Sequence, residues 1–482
     1  MRIAIEGCCH GALDAIYQHI QNLETKNDYV VDLLLICGDF QAVRNHRDLQ
    51  CMAVPNKYRQ LGDFYKYYTG EKKAPILTIV IGGNHEASNH FWELYHGGWL
   101  APNIYFLGHA GCVQVGGLRI AGASGIFKGH DFRQGHFERV PYDHGTMRSI
   151  YHIREYNVRR LSLLSSPDIF LSHDWPQSIE HFGDLQGLLR RKPFFRQDVN
   201  SGKLGSPPLM GLLRNLRPKW WFSAHLHVRF EATVRHDQDG TSQPQAQSVA
   251  QPTAANPDEI AIDDDDEFSD APAPQMAGPA DASVGPSPAP VSSNPDEITL
   301  DDEAVDVATP PPPPSGNIET KFLALDKCLP KRDFLEIIDL PCAFDSLPLA
   351  SLGERRIPKL GFDPEWLAIT KAFDSLFPVS RRQAAYPDES AARDLIKEQL
   401  AWVQENVQAK SSPMSTSSSS DSASLFKALD DVQTFSQVAP GPGNEGSAKN
   451  HQPPYYASPQ TEAFCKMLEI DNKLVKPSFL PS

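Results

Sequence analysis

ILTIVIGGNHE, residues 76–86, sets a short apolar, β-branched run directly against a glycine pair and three polar side chains, Asn84, His85 and Glu86. The run is too short for a buried helix and has the composition of a buried strand, so the polar residues fall just past the strand's C-terminal end. Open α/β sheets place their sites there. Working outward, the same arrangement recurs four times. RIAIE (2–6) precedes GCCHG (7–11), DLLLI (32–36) precedes CGDF (37–40), DIFL (168–171) precedes SHDW (172–175), and WWFSA (220–224) precedes HLH (225–227). A single CxH or HxH is weak, but five fragments in strand-end register predict an α/β fold with one polar centre.

That centre collects Cys8, His10, Asp39, Asn84, His173, His225 and His227. These residue types suit a pair of divalent cations. Two cations about 3.5–4 Å apart need an anionic bridge, and a carboxylate can turn one oxygen to each. Asp39 is the candidate bridge. Cys8, His10 and His227 are expected around one cation, and Asn84, His173 and His225 around the other. On an extended strand, His225 and His227 would share a face. His85, beside a ligand, should point elsewhere, and an imidazole can hold or release a proton near neutrality.

The order of fragments resembles the calcineurin-like metallophosphoesterases. Cys8-Cys9-His10 stands where most of them have Asp-x-His, and GCCHG with GGNHEASNH (82–90) is similar to the RNA lariat debranching enzymes of that superfamily. PNIYFLG (102–108), GIFKGHDF (125–132), TKFLALDKCLP (320–330) and PQTEAFCKMLEI (459–470) extend the likeness. The resemblance implies a four-layer α/β/β/α sandwich with a C-terminal segment packed on it. It also implies hydrolysis of the 2',5'-phosphodiester at the branch point of excised intron lariats. A metal-activated hydroxide would attack phosphorus, and His85 would protonate the departing oxygen. Fe²⁺ with Zn²⁺, or Mn²⁺, is the implied metal complement. The thiolate of Cys8 favours the softer Zn²⁺ and Fe²⁺ over Mg²⁺.

Residues 125–154 match that family's recognition loop in position. Lys128, His130, Arg133, Arg139, Tyr142, Arg148 and Arg154 are the expected RNA contacts, because cations hold phosphates and rings stack on unpaired bases. Another binuclear phosphoesterase, such as a protein phosphatase or nuclease, or a catalytically silent scaffold, remains open at this point.

The net charge of -15 is unevenly distributed. Residues 1–235 carry 27 Lys+Arg against 21 Asp+Glu, leaving 18 against 39 for the rest, so the acidity lies outside the first half. A mildly basic first half is compatible with a phosphodiester substrate. Eight cysteines, scattered apart from Cys8 and Cys9, do not form a secreted disulfide framework. No signal peptide or membrane span is expected. The nucleus, with the cytoplasm as a further compartment, follows from the implied substrate.

Five segments are expected: a catalytic domain (1–235), a disordered acidic and proline-rich insertion (236–318), a C-terminal domain (319–408), a disordered serine-rich segment (409–450) and a tail (451–482). The insertion holds an approximate repeat, NPDEIAIDDDDE (256–267) and NPDEITLDDE (294–303), a candidate docking motif for a protein partner. KFLAL and FLEIIDL read as strands that extend the first domain's sheets. Leu395, Ile396, Leu400, Trp402, Val403 and Val407 mark the apolar face of a helix. The oligomeric state is left open.

Overall fold

The computed structural model describes residues 1–236, 317–342, 357–408 and 427–474. Residues 1–238 and 314–482 make up one compact unit. The body of the acidic insertion with both NPDEI repeats, and residues 409–426 of the serine-rich segment, lie outside the described residues.

Thirteen strands are found among the described residues: β1 (Arg2–Glu6), β2 (Leu33–Ile36), β3 (Leu77–Val80), β4 (Gly98–Ala101), β5 (Ile104–Phe106), β6 (Ala110–Val115), β7 (Leu118–Ala123), β8 (Ile169–Ser172), β9 (Trp220–Ser223), β10 (Phe230–Arg235), β11 (Glu319–Ala324), β12 (Leu335–Asp339) and β13 (Leu360–Phe362). They form a six-stranded sheet, β12-β1-β2-β3-β5-β4, and a seven-stranded sheet, β10-β11-β9-β8-β7-β6-β13. All five runs that precede the polar fragments are strands, and β1, β2, β3 and β5 are parallel neighbours. Parallel strands are covered on both faces, which explains their unbroken apolar composition.

Ala4, Leu34, Ile36 and Val80 pack with Leu13, Ile16, Tyr17 and Ile20 of the helix Leu13–Asn27. Ile3, Ile5, Leu33, Leu35 and Ile79 on the other face are equally buried. One polar pair interrupts the helix-side layer, a 2.8 Å bond between the Tyr17 and Thr78 hydroxyls, so neither group is buried unsatisfied. On the second sheet, the helices Glu155–Ser162 and Pro207–Leu216 pack on one another, and Glu155–Ser162 and Pro364–Ala372 lie against β6. The sandwich of mixed sheets and covering helices is the expected class.

The strands after Lys321 do more than extend edges. β11 inserts between β10 and β9, and β12 pairs antiparallel with β1. The C-terminal stretch therefore completes both sheets instead of standing beside them. Asp363 caps the helix Pro364–Ala372 by accepting from the Trp366 N–H at 3.0 Å, and the same carboxylate pairs with Arg119 on β7. The helix Glu389–Val403 packs on Pro364–Ala372 through Ala392, Ile396 and Val403, with Val407 one turn on. Leu395, expected on that face, is 41 % exposed.

The serine-rich reading is corrected over 427–450. Leu429, Gln433 and Ala439 are buried, and Gln433 donates to Gly97 O and accepts from Tyr105 Oη. Sparse anchors spaced along a polar stretch give no periodicity to read. No helix among the described residues is long and apolar enough to cross a membrane.

Candidate metal centre

The two sheets meet at their carboxyl ends. His173, just after β8, donates from Nδ1 to the Cys37 carbonyl after β2 at 2.8 Å, and Gly82 N–H donates to Ser124 Oγ at 2.9 Å. This fixes the His173 tautomer and turns its Nε2 toward the centre. There it lies 3.4 Å from Asp39 Oδ1 and 3.2 Å from Asn84 Oδ1. On the other side, His10 Nε2 lies 3.7 Å from Asp39 Oδ2 and 3.2 Å from His227 Nε2. The donor atoms of Cys8, His10, Asp39 and His227 all lie within 4.8 Å of one another. The His225 ring stands 5.0 Å from that of His173, and the His225 N–H reaches Cys8 Sγ at 3.2 Å. All seven candidates are therefore brought together, and the two Asp39 oxygens face two different groups of them.

One geometric expectation fails. His225 and His227 are not on an extended strand, because β9 ends at Ser223. Both adopt left-handed backbone (φ 65° and 48°), as do His10 (45°) and Asp39 (47°). A non-glycine residue in that region costs on the order of 1–3 kcal/mol and persists only where surrounding structure enforces it. Four such residues in one centre make it a place where strain is held for aim. Glycine relieves the crowding around them: a Cβ at Gly83 would lie 2.2 Å from Asp39 Oδ1, and one at Gly38 would lie 2.4 Å from His173 Nδ1.

The electrostatics fit cations. Burial, and next the charge of His173, push His225 down to about 3, and burial with His10 brings His227 to about 2. Both are the neutral imidazoles that ligation requires. Burial alone would raise the Asp39 carboxyl, but His173, His85 and His10 hold it well below the usual range. Burial and then Asp39 push the Cys8 thiol well above its usual range, so a thiolate at that position needs a cation beside it. Lone pairs of six nitrogen or oxygen donors and one sulfur converge with few protons to share among them. This donor set suits two divalent ions.

His85 is half-buried at the rim. Its N–H donates to Asp39 Oδ1 at 2.9 Å, and its ring lies 5.5 Å from that of His10. Glu86 does not face His85. Its carboxylate accepts from the N–H groups of Phe40, Gln41 and Gly83 at 2.8–2.9 Å, lashing the GNHE turn to the CGDF turn. Burial, with Asp39 second, lifts it to about 7.

Of the expected RNA contacts, His130 and Arg133 are exposed, and Lys128 and Arg148 are half-exposed. Arg154 is not available. It is fully buried, pairs with Glu138, and donates to Asp131 O at 2.7 Å and Ser149 O at 2.9 Å. Tyr142 is also buried, its backbone held on both sides by the Gln452 amide at 2.6 and 2.7 Å. Arg139 is half-buried and spends donors on His136 O, Glu138 O and Val379 O. Spacing cannot separate a cation that faces solvent from one that neutralises a buried carboxylate. Arg154→Met leaves Glu138 buried and unpaired, so it is expected to lower unfolding stability by about 3–5 kcal/mol in chemical denaturation. A change within about 0.5 kcal/mol, the range of ordinary surface substitutions, would contradict the assignment.

Two neighbours of the centre were legible only as parts of motifs. Lys327, from TKFLALDKCLP, is bridged to Cys8, and Asp174 accepts from Phe127 N–H at 3.1 Å and so anchors the start of the 125–154 segment.

Residues 1–229 match the family model of calcineurin-like phosphoesterases, and residues 317–473 match that of the lariat debranching enzyme C-terminal domain. The chain is 42 % identical over 449 residues to a Gallus gallus protein named lariat debranching enzyme, covering 90 % of this chain and 68 % of that one. A Danio rerio protein of the same name is 46 % identical over 377 residues, covering 78 % of this chain and 52 % of that one. A Drosophila melanogaster protein of that name is 42 % identical over 480 residues, covering 98 % and 78 %. The chain thus spans about half the length of the Danio rerio relative and more of the others.

Proposed function

The chain belongs to the lariat debranching enzyme family, and from that premise we propose that it hydrolyses the 2',5'-phosphodiester at the branch nucleotide of excised intron RNA. It is a metallophosphoesterase hydrolase in class. The observation that carries the reading is Asp39, whose two oxygens face two separate groups of histidines at 3.4 and 3.7 Å. Cys8, His10 and His227 with Asp39 would hold one cation, and Asn84, His173 and His225 with Asp39 the other. When bound, the pair supplies an activated water and neutralises charge on the phosphoryl oxygens.

The protein's own groups do the rest. His85 stands at the rim, tied through its N–H to Asp39, with an imidazole that can hand a proton to the departing ribose 2'-oxygen. Asn84 contributes an oxygen without a further negative charge, which keeps the centre attractive to a phosphodiester. Lys128, His130, Arg133 and Arg148 remain as contacts for the RNA backbone. Arg148 also lines a groove of about 440 Å³ between residues 53–59 and 142–148. Cys8 favours Zn²⁺ and Fe²⁺, with Mn²⁺ as a substitute. From the proposed substrate we infer the nucleus, with the cytoplasm as a second compartment, and the acidic NPDEI repeats are proposed to dock a protein partner.

The test compares matched synthetic RNAs, one branched and one linear, with anaerobically purified protein of measured metal content. Selective cleavage of the branched RNA is expected. Equal cleavage of both would make the protein a general nuclease, and no cleavage at full metal occupancy would make it a scaffold.

A further inference from the structure

The segment 125–154 contains a second cluster of donor atoms that shares no residue with the main centre. His152 Nδ1 lies 2.6 Å from Asp131 Oδ2, and His130 Nε2 lies 3.2 Å from the same oxygen. One donor atom from each of the three residues falls within 4.8 Å of the others. Asp131 and His152 are buried, at 4 % and 6 % exposed, while the His130 side chain is 72 % exposed and forms the outer wall.

We propose that His130, Asp131 and His152 bind one further divalent transition-metal ion, of the Zn²⁺ class, which clamps the first turn of the recognition segment to its last residues. Two imidazoles and one carboxylate are a donor set that Zn²⁺ takes, and small side-chain shifts would open the 2.6 Å His152–Asp131 contact to admit the ion. The supporting contacts are in place. Gln134 Nε2 donates to Asp131 Oδ1 at 3.1 Å and orients the carboxylate, leaving Oδ2 for the ion. Burial holds His152 below the ordinary histidine range, so it is neutral at pH 7 as ligation requires. Among the described residues its Nε2 meets no partner, and the ion would take the place of the proton that Nδ1 shares with Asp131. The nearest cation, Arg154, stands 3.8 Å from Asp131 Oδ1 and has its charge met by Glu138.

The geometry has a structural consequence. His130 and Asp131 sit in the short helix Gly129–Phe132, and His152 lies where the segment returns to bridge Ile126. An ion shared by the three would fix a surface side chain to the buried closure of the loop. Its remaining coordination position would face outward, open to water or to a phosphate oxygen of bound RNA. The proposal draws on the function above only for the nature of that last ligand.

The experiment measures Zn²⁺ bound at equilibrium by the full-length protein, its His130→Ala and His144→Ala variants, and Asp39→Asn. His130 is exposed, so its removal leaves the fold intact, and His144 is a nearby exposed histidine outside the cluster. His130→Ala is expected to bind one equivalent less than wild type, and His144→Ala the same as wild type. Asp39→Asn should keep the equivalent that His130→Ala loses, as judged by the double variant. Equal Zn²⁺ in wild type and His130→Ala overturns the proposal. Failure of the main-centre reading would show separately, as Zn²⁺ binding unchanged by Asp39→Asn.

Discussion

Asp39→Asn is expected to strip the main centre of its metals and take branched-RNA hydrolysis to the limit of detection, while the protein stays folded. The carboxylate turns Oδ1 toward His173 and Oδ2 toward His10. An amide keeps the shape but offers one oxygen and one NH₂ group, so one of the two groups of histidines would face a donor in place of an acceptor. Altering a residue that only orients a ligand typically weakens metal binding about 10–100-fold, so removing the bridge itself should cost at least about 100-fold. Gly83→Ala provides an independent route to the same outcome without changing a ligand, because its Cβ would lie 2.2 Å from Asp39 Oδ1. Metal content by elemental analysis, with circular dichroism to verify folding, checks both. Full metal occupancy in Asp39→Asn would remove Asp39 from the bridge.

His85→Ala should behave differently: metal content and KM retained, kcat lower by about 10²–10⁴. The loss should depend on the leaving group. A ribose hydroxyl needs a proton as it departs, whereas a nitrophenolate does not, so His85→Ala should hydrolyse a nitrophenyl phosphodiester nearly as fast as wild type. A merely structural role for His85 predicts equal losses on both substrates, since a displaced Asp39 would impair every reaction of the centre. The His85 N–H to Asp39 bond belongs to the backbone and survives the substitution.

How much of this was legible in the sequence differs by physical cause. β1, β2, β3, β8 and β9 were readable because strands buried on both faces are short unbroken apolar runs, and the seven donors were readable because each follows such a run. Their grouping about Asp39 was readable from carboxylate chemistry. The left-handed backbone of His10, Asp39, His225 and His227 was not, since nothing in a histidine or aspartate sidechain announces a positive φ. The same limit explains why His225-Leu226-His227 was read as extended when it is a turn.

Burial of cations was the second blind spot. Arg154 and Lys128 look alike in a basic, aromatic segment, yet one neutralises Glu138 in the interior and the other is half-exposed. The partner that decides this is 16 residues away in the chain and invisible to local pattern. Long-range closure was the third. β11 sits inside the second sheet although an insertion of roughly 80 residues separates it from β10, and loop-closure entropy grows only slowly with such length. Composition flags the insertion but says nothing of where the chain returns. Likewise Gln452, one amide in a polar tail, fixes Tyr142 through two hydrogen bonds that no periodicity foretells.

This centre is expected to cut one bond of a branch, leaving the phosphate on the nucleotide attached through its 5' carbon. This is tested most directly by treating a synthetic branched RNA, carrying both 2',5' and 3',5' linkages on one adenosine, with metal-loaded wild-type protein and identifying the end groups by mass spectrometry. A linear RNA with its 3',5' bond intact and a free 2'-hydroxyl, together with a released 5'-phosphorylated fragment, is the predicted result. Cleavage at the 3',5' bond, or phosphate retained on the 2'-oxygen, would contradict it.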